Sequence, residues 1–326
     1  MSIRYWLERP TKLVWAARTA ADRVYESTVS RSLPRVHAWR LRRRRGAAIT
    51  VDESAKYAIA VADDYEAIAR VARTVPPYTS LYRDRRVLEL GPGDVLSVGL
   101  VALLRGAASY HAVDAYDIAS REAKRNDDIY RRIAELEGVA PDAGPKAIAS
   151  GRVERDLKEL ARRGERFDLV VSRAVLEHVS DLEALFEGLA NVVRPDALLL
   201  HKVDLRSHGM ERDSELDFLL FPPSLYARMS SHLDLPNRVR AGAYLELAER
   251  HGMVTLHAAA THLARETSLE RVRGEMPAPF AALSDADLRI LGLWLVQGGP
   301  DRRPAASPPR RAEDVPNVPS TGFSKY

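Results

Sequence analysis

The sequence of 326 residues contains no cysteine, so disulfide bonds, thiolate catalysis and cysteine-ligated zinc sites are excluded. It also lacks an uninterrupted apolar stretch of about 20 residues, the length that a membrane-spanning helix requires. The N-terminus has none of the basic, apolar and small-residue pattern of a secretory signal. We therefore expect a cytoplasmic protein, long enough to bury a core in one large or two modest domains.

The net charge of +4 conceals a strongly basic N-terminus. Residues 1–50 contain twelve Lys or Arg against three Asp or Glu, so the rest of the chain is net acidic. The run RLRRRR at residues 40–45 suits nucleic acid or an anionic surface, such as the inner face of a membrane. Apolar and aromatic residues before it are compatible with an interfacial helix. The alternative is a solvated helical arm packed on its own domain, since Pro10 and Pro34 interrupt the segment.

Residues 87–114, VLELGPGDVLSVGLVALLRGAASYHAVD, predict a strand, a glycine turn, a helix, a second strand and an acid. Glycines in such a turn let the backbone approach a ligand closely, and the acid accepts hydrogen bonds from a ribose. An adenosine-containing ligand is therefore expected. A dinucleotide fingerprint would place a small residue where this chain has Leu96. The acids Glu89 and Asp94 are unfavourable beside a pyrophosphate and suit the cationic methionine end of S-adenosylmethionine.

The pattern E-x-G-x-G resembles motif I of class I S-adenosylmethionine-dependent methyltransferases. Residues 167–200, FDLVVSRAVLEHVSDLEALFEGLANVVRPDALLL, are similar to the fourth and fifth strands of the same family. The resemblance spans roughly residues 81–205 and implies an α/β, Rossmann-like sheet with S-adenosylmethionine as cofactor. The cofactor residues that it implies are Glu89, Gly91, Gly93 and Asp94 for the methionine side, Asp114 for the ribose, Asp156 and Leu157 for the adenine, and Ser172 at the end of the fourth strand.

Four regions are predicted along the chain. Residues 1–80 form a basic helical arm and a lid, 81–205 the cofactor-binding core, 206–297 a substrate-side region with the remaining core strands, and 298–326 a disordered tail rich in Pro, Ser and charge. Within them we expect helices at 51–75 (capped by Asp52 or Ser54), 117–137, 181–193, 216–221, 225–229, 241–250 and 284–296, a strand at 253–258 and a weaker strand at 147–153.

Candidate catalytic residues follow the strand at 197–200, within LLLHKVDLRSHG. His201, Asp204 and His208 lie where an acceptor would approach, and a His–Asp pair would orient the imidazole and raise its basicity. Strand alternation places His201 and Asp204 on opposite faces. The spacing H-x-x-D-x-x-x-H is also compatible with metal ligands, although no metal site is predicted. His178, in LEHV, is expected to cap or pack against the following helix; the lesser alternative is an active-site role, because the residue lies beyond the fourth strand.

A narrower resemblance covers the runs HKVDLRSHG, ELDFLLFPPSLYARM and LPNRVRAGAYLELAERHGM. They resemble bacterial methyltransferase-domain proteins associated with surface-glycan pathways. That resemblance implies substrate contacts for Arg206, Asn237, Arg238 and Arg240, which would bind an anionic group. The alternative is that the last three only pack before the next helix. This chain departs from those relatives at Ser207, where they tend to have an acid.

The expected function is methylation of an oxygen in a glycan precursor or another small molecule. One alternative is a nucleic-acid methyltransferase, which the arginine-rich arm favours, although the amino-methylating motif Asn/Asp-Pro-Pro-Tyr/Phe is absent from the sequence. A second alternative is a non-catalytic scaffold that keeps the fold and binds a partner or a membrane through residues 1–50.

Overall fold

A computed structural model describes residues 10–32, 50–76, 78–114, 123–229, 235–305 and 307–318. The arginine run at 40–45 lies outside the described residues, and so do the nucleic-acid and membrane contacts expected of it. Along the described part, no helix is sufficiently long and apolar to span a bilayer.

The helices are α1 (Pro10–Ser32), α2 (Val51–Val71), α3 (Ser97–Leu104), α4 (Ala123–Leu136), α5 (Ala143–Ile148), α6 (Leu157–Arg162), α7 (Leu182–Ala190), α8 (Pro223–Met229), α9 (Ala241–Arg250), α10 (Glu266–Glu270) and α11 (Asp285–Arg289).

Seven strands form one sheet, in the spatial order β3-β2-β1-β4-β5-β7-β6. They are β1 (Arg86–Leu90), β2 (Ser109–Val113), β3 (Arg152–Glu154), β4 (Phe167–Arg173), β5 (Val193–Asp204), β6 (Val254–Leu263) and β7 (Ile290–Gly298). The first five pair in parallel, whereas β7 runs antiparallel to both β5 and β6. The α/β, Rossmann-like sheet expected from the sequence is confirmed. Strand order reverses between β1 and β4, where ligands of such sheets bind.

Two apolar layers enclose the sheet, as a largely parallel sheet requires. One layer contains α2, α3 and α4 against the odd-numbered side chains of β1, Val87 among them. The other contains α6, α7 and α9 against the even-numbered ones, Leu88 among them. A third apolar cluster lies outside the sheet, where α1 and α8 pack together and Trp15 meets Phe221 at 6.0 Å between ring centroids.

Strand β7 replaces most of the helix that the sequence predicts at 284–296. Only α11 is helical, with Ser284 as its N-cap, and the chain then continues as a strand whose nine residues are all buried. A strand covered on both faces reads as a continuous apolar run rather than an alternating one, so its pattern does not distinguish it from a buried helix.

Helix α2 begins at Val51 as predicted, but it ends at Val71 rather than at residue 75 and has a different capping residue. Its N-cap is Thr50, whose hydroxyl accepts from the Glu53 amide in a capping box, so neither Asp52 nor Ser54 caps it. The helix lies on the sheet, where Tyr65 packs edge-on against Trp294 with ring centroids 5.8 Å apart. A buried ion pair joins it to β4, with 2.7 Å between Asp64 Oδ2 and Arg173 NH1.

Two further expectations need correction. Residues 147–153 are not one strand, because α5 ends at Ile148 and β3 covers only Arg152–Glu154. The predicted disordered tail is ordered at residues 312–318, where the Ala260 amide donates to Pro316 O and Val318 donates back to Ala260 O. This segment covers the free edge of β6, while the opposite edge strand has only three residues; both devices limit edge-to-edge association.

We expect Gly99→Ala to destabilise the fold. A Cβ at Gly99 would lie 2.1 Å from Cζ of Tyr110, a fully buried ring whose hydroxyl donates to Glu89 at 2.6 Å. Ring displacement would break that hydrogen bond, and overpacking of this kind costs about 1–3 kcal/mol of unfolding free energy. Urea denaturation measures the loss. Gly274→Ala is the control, because open space surrounds Gly274 and its substitution should change stability by less than about 0.5 kcal/mol. Equal effects of the two substitutions would contradict the prediction.

Candidate functional site

The glycine turn follows β1 at the point where strand order reverses. Gly91 has a φ of +62°, and a Cβ there would lie 2.6 Å from the Val175 side chain. Gly93 also has a positive φ, +79°, but a Cβ there would meet nothing within 4 Å. The first glycine is therefore required for packing, and the second leaves open space beside the backbone, as expected at a ligand-binding turn.

Glu89 is a buried carboxyl at the end of β1. It accepts a hydrogen bond from the Tyr110 hydroxyl at 2.6 Å. Burial raises its pKa to about 7, although the bond from Tyr110 opposes the rise. A cation close to this carboxyl would favour its ionised form, which is consistent with the methionine-side role expected from the sequence.

The other predicted cofactor acids follow neighbouring strands. Asp114 comes directly after β2, is 6% exposed, and its amide donates to Glu154 O in the next strand. Asp94 is exposed in the glycine turn. Asp156 follows β3, and its Oδ1 accepts from the Glu159 amide as the N-cap of α6. Leu157 is buried and packs against Gly188 of α7. The sheet therefore brings the three acids to one edge, while the Leu157 side chain belongs to the core.

Ser172 and His201 form a buried pair on adjacent strands. They are register partners on β4 and β5, and Ser172 Oγ lies 2.7 Å from His201 Nδ1. Both side chains have no exposed surface, and burial lowers the pKa of His201 to about 3. An inaccessible imidazole with so low a pKa is a poor base for a substrate, so the arrangement disfavours the catalytic role expected for His201.

Asp204 and His208 lie together beyond the end of β5. The Asp204 carboxylate binds the Arg206 guanidinium through both oxygens, at 2.8 and 2.5 Å. His208 Nε2 lies 3.6 Å from Asp204 Oδ2. Burial alone would raise the pKa of Asp204, but Arg206 and the nearby His208 outweigh it and hold that pKa well below its usual range. Arg206 is thus paired with Asp204 in this structure.

A short helical turn after β4, Leu176–His178, contributes Glu177 and His178 to a polar cluster with Asp204 and His208. The rings of His178 and His208 are 5.0 Å apart between centroids. Glu177 has no exposed surface, and within the described residues neither of its carboxylate oxygens has a hydrogen-bond partner. One ligand atom each from Glu177, His178 and His208 lies within 4.8 Å of the others. Val175, in the same turn, touches Gly91, so the cluster adjoins the glycine turn.

Comparison with known families decides the class of protein. A family model described as "Methyltransferase domain" matches residues 59–265, more than half of the chain. The chain belongs to the methyltransferase-domain family. It is an S-adenosylmethionine-dependent methyltransferase, and this confirms the enzyme class and the cofactor expected from the sequence.

Curated relatives match this methyltransferase over a shorter segment. Ubiquinone biosynthesis O-methyltransferases from two strains of Rhizobium etli are 33% and 34% identical to it over 114 residues. The matched segment covers 35% of this chain and 39% of each relative. The chain therefore aligns with well under half the length of these relatives.

Solved structures include two neighbours of similar architecture. An S-adenosylmethionine-dependent methyltransferase from Mesorhizobium loti is 17% identical, with a TM-score of 0.42, over 70% of this chain and 96% of that one. Magnesium protoporphyrin IX methyltransferase from Synechocystis PCC 6803 is 13% identical, with a TM-score of 0.44, over 84% and 99%.

Arg238 and Arg240 of the methyltransferase, expected from the sequence as substrate contacts, are buried and bound by protein groups. Arg238 donates to the carbonyls of Phe218 and Phe221 and lies over the Tyr226 ring, 3.7 Å from its centroid. Arg240 is 2% exposed and donates to the carbonyl oxygens of Leu205, Leu288 and Ile290. Burial lowers both pKa values to about 10. Both guanidinium groups donate to backbone oxygens, and this arrangement favours the alternative of a packing role.

Asn237 holds the turn that carries Glu177 and His178. Its Nδ2 donates to Leu176 O at 2.9 Å and Val179 O at 3.0 Å, and its backbone amide donates to Glu177 O at 2.6 Å. Because Arg240 binds Leu205 O beside Asp204, the segment 237–240 of the methyltransferase clamps both loops of the polar cluster. These residues position the cluster and make no contact of their own that points to an anionic ligand.

Sequence analysis missed Glu177 as a residue of this cluster, and it gave an active-site role for His178 only as the lesser alternative. His178 does not cap α7, whose N-cap is Asp181. The available signal was an acidic and an imidazole side chain directly after a core strand, but their proximity to His208 arises only when β4 and β5 pair. A separation of thirty residues conceals that contact in the sequence.

Proposed function

We propose that this methyltransferase transfers a methyl group from S-adenosylmethionine to a hydroxyl oxygen of a small-molecule acceptor. The observation that carries the proposal is the polar cluster of Glu177, His178, Asp204 and His208 beside the glycine turn. The similarity to O-methyltransferases over 114 residues supports oxygen as the methylated atom. A glycan precursor is the first acceptor class to test, because of the resemblance found in residues 201–253.

The cofactor would occupy the edge where strand order reverses. Glu89 and the turn of Gly91, Gly93 and Asp94 would hold the methionine end, and Asp114 the ribose hydroxyls. Asp156 would meet the adenine through the carboxylate oxygen that does not cap α6, with the backbone of Leu157 beside it. Ser172 would contribute through its backbone, since its hydroxyl faces His201.

The acceptor would approach the polar cluster from the open side of the glycine turn. Its oxygen attacks the methyl carbon as the S–C bond breaks, so the main requirements are alignment and exclusion of water. The hydroxyl must also lose a proton, and Asp204 and His208 would promote that loss together with Glu177 and His178. We assign no acceptor contact to His201, because its ring is fully buried.

We expect Asp114→Ala to abolish stabilisation by the cofactor. At 100 times its dissociation constant, a ligand raises the unfolding free energy by about 2.7 kcal/mol. Thermal unfolding with S-adenosylmethionine, S-adenosylhomocysteine and NAD should show a shift with the two sulfur ligands only. Asp128→Ala, an exposed acid on α4, is the matched control and should keep the shift. A shift retained in Asp114→Ala would remove the ribose assignment.

Transfer itself is tested by mass spectrometry with a panel of hydroxylated acceptors, glycan precursors among them. The expected product carries one additional methyl group on oxygen. His208→Gln should bind S-adenosylmethionine as the wild type does and turn over about 10²–10⁴-fold more slowly. Methylation confined to nitrogen acceptors would contradict the proposal.

A further inference from the structure

Three side chains from two loops converge on one small volume beside the cofactor edge. Glu177 and His178 belong to the turn after β4, and His208 to the loop after β5. One potential ligand atom from each lies within 4.8 Å of the other two. We propose that Glu177, His178 and His208 form a binding site for a divalent transition-metal cation. Small rotations of the two imidazoles would bring all three atoms to the 2.0–2.2 Å that nitrogen and carboxylate ligands keep from such an ion.

The state of Glu177 is the strongest argument for a cation. The carboxyl has no exposed surface, and among the described residues neither oxygen makes a hydrogen bond. An ionised carboxylate in that environment is costly unless it is paired. A bound cation would offset the charge of this carboxylate and supply a partner for its unbonded oxygens.

The donor set indicates which class of ion would bind. Two imidazole nitrogens and one carboxylate suit Zn²⁺, Mn²⁺, Fe²⁺ or Co²⁺, whereas Mg²⁺ and Ca²⁺ prefer ligand sets made of oxygen. Three protein ligands leave at least one coordination position open, which is the pattern of catalytic rather than structural metal sites.

Surrounding contacts already support the ligands. Asp204 lies 3.6 Å from His208, and its bidentate pairing with Arg206 fixes the carboxylate and neutralises the nearby guanidinium. Asn237 fixes the turn of Glu177 and His178 through three hydrogen bonds. A carboxylate beside a ligating histidine and a clamped ligand loop are the outer contacts that tune metal sites.

The location connects the ion with methyl transfer, an inference that rests on the function proposed above. Because Val175 touches Gly91, the cluster lies next to the glycine turn. An acceptor hydroxyl on the open position of the cation would have a lowered pKa and release its proton to water. Its oxygen would then form the new O–C bond as the S–C bond of the cofactor breaks.

The test uses the full-length protein, stripped with EDTA and titrated with Zn²⁺, Mn²⁺, Co²⁺ or Mg²⁺ alone, without methyl donor or acceptor. Isothermal titration calorimetry should give one site per chain for at least one of the three transition ions, and bound Co²⁺ should give visible absorption bands. His178→Gln and His208→Gln should each lose at least tenfold in affinity. Asp204→Asn should lose about 10–100-fold. The control is His251→Gln, which removes an imidazole paired with Glu183 on the outside of α7 and α9.

Binding by the wild type and by His251→Gln, with loss in both ligand variants, supports the site. Absence of stoichiometric binding, stronger binding of Mg²⁺ than of the transition ions, or unchanged affinity in His178→Gln and His208→Gln overturns it. Circular dichroism melts show whether each variant is folded. Since cofactor binding is measured separately in EDTA, a failed metal titration with an intact S-adenosylmethionine shift rejects the cation and leaves the methyltransferase function standing.

Discussion

Asp64→Ala is expected to reduce the unfolding free energy by about 3–5 kcal/mol, because it removes the carboxylate that pairs with the buried Arg173 guanidinium. The side chains of Asp64 and Arg173 are only 4% and 9% exposed and meet at 2.7 Å between α2 and β4. Removal of one charge leaves the other in a medium that solvates it poorly. Since α2 covers the sheet beside the glycine turn, its loosening should also weaken cofactor binding. Urea denaturation and calorimetric titration with S-adenosylmethionine measure the two effects.

The neighbouring residue provides a matched control for this ion pair. Asp63 also pairs with an arginine at 2.7 Å, Arg105, but its side chain is 60% exposed. An exposed pair contributes about 0–1 kcal/mol, so Asp63→Ala should have a small effect. The double variant Asp64→Leu with Arg173→Met should recover much of the loss, because it removes both charges. Equal destabilisation by Asp63→Ala and Asp64→Ala would contradict a special role for burial.

The second large effect is a dependence of stability on pH that originates at His201. Burial lowers the pKa of this imidazole to about 3 in the folded protein, against 6.5 as its ordinary value. Below pH 6.5 the unfolded chain therefore binds a proton that the folded chain does not. The contribution of His201 to stability should fall with decreasing pH by about 1.4 kcal/mol per unit between about pH 6 and pH 3, which is roughly 2–3 kcal/mol at pH 4.5. The buried carboxyls Glu89 and Glu177, whose pKa values are raised, act in the opposite sense, so the contribution of His201 is measured as the difference between the wild type and a His201 variant.

His201→Asn should remove this dependence. The variant will lose some stability at pH 7.5, because the contact with Ser172 is altered, but its urea midpoint should fall less steeply on acidification than that of the wild type. His262→Asn, at an exposed histidine on β6, should retain the wild-type slope. Parallel slopes for wild type and His201→Asn would show that some other group governs the acid sensitivity.

The strand–turn–helix–strand unit that carries the predicted cofactor residues was predictable because its signals are local. The turn of Gly91 and Gly93, and the acids that end β1 and β2, lie within a single strand–helix–strand unit. Spacing along the chain therefore reflects spacing in the fold. The capping residues of helices were predicted less accurately. The N-cap of α2 is Thr50, and the sequence did not identify it because several possible capping residues stand close together in TVDES.

The acceptor half was predicted poorly because its geometry arises from pairing between distant segments. Arg238 and Arg240 resemble anion ligands in the sequence, yet burial turns both towards carbonyl oxygens. Glu177 and His178 resemble helix-flanking residues until β4 and β5 bring them to His208. His201 lies in the same motif as His208, but strand direction sends its ring into the core. Strand alternation separates His201 from Asp204, but it does not show which of the two side chains faces the core.

Strand β7 also has a consequence for biosynthesis. It is the last strand in chain order but lies inside the sheet, with β5 and β6 on its two sides. During translation β5 emerges about 90 residues before its partner, so its hydrogen-bonding edge stays open until residue 298 has left the ribosome. The sheet therefore closes only after β7 has been synthesised, and until then the unpaired edge of β5 can pair with other chains.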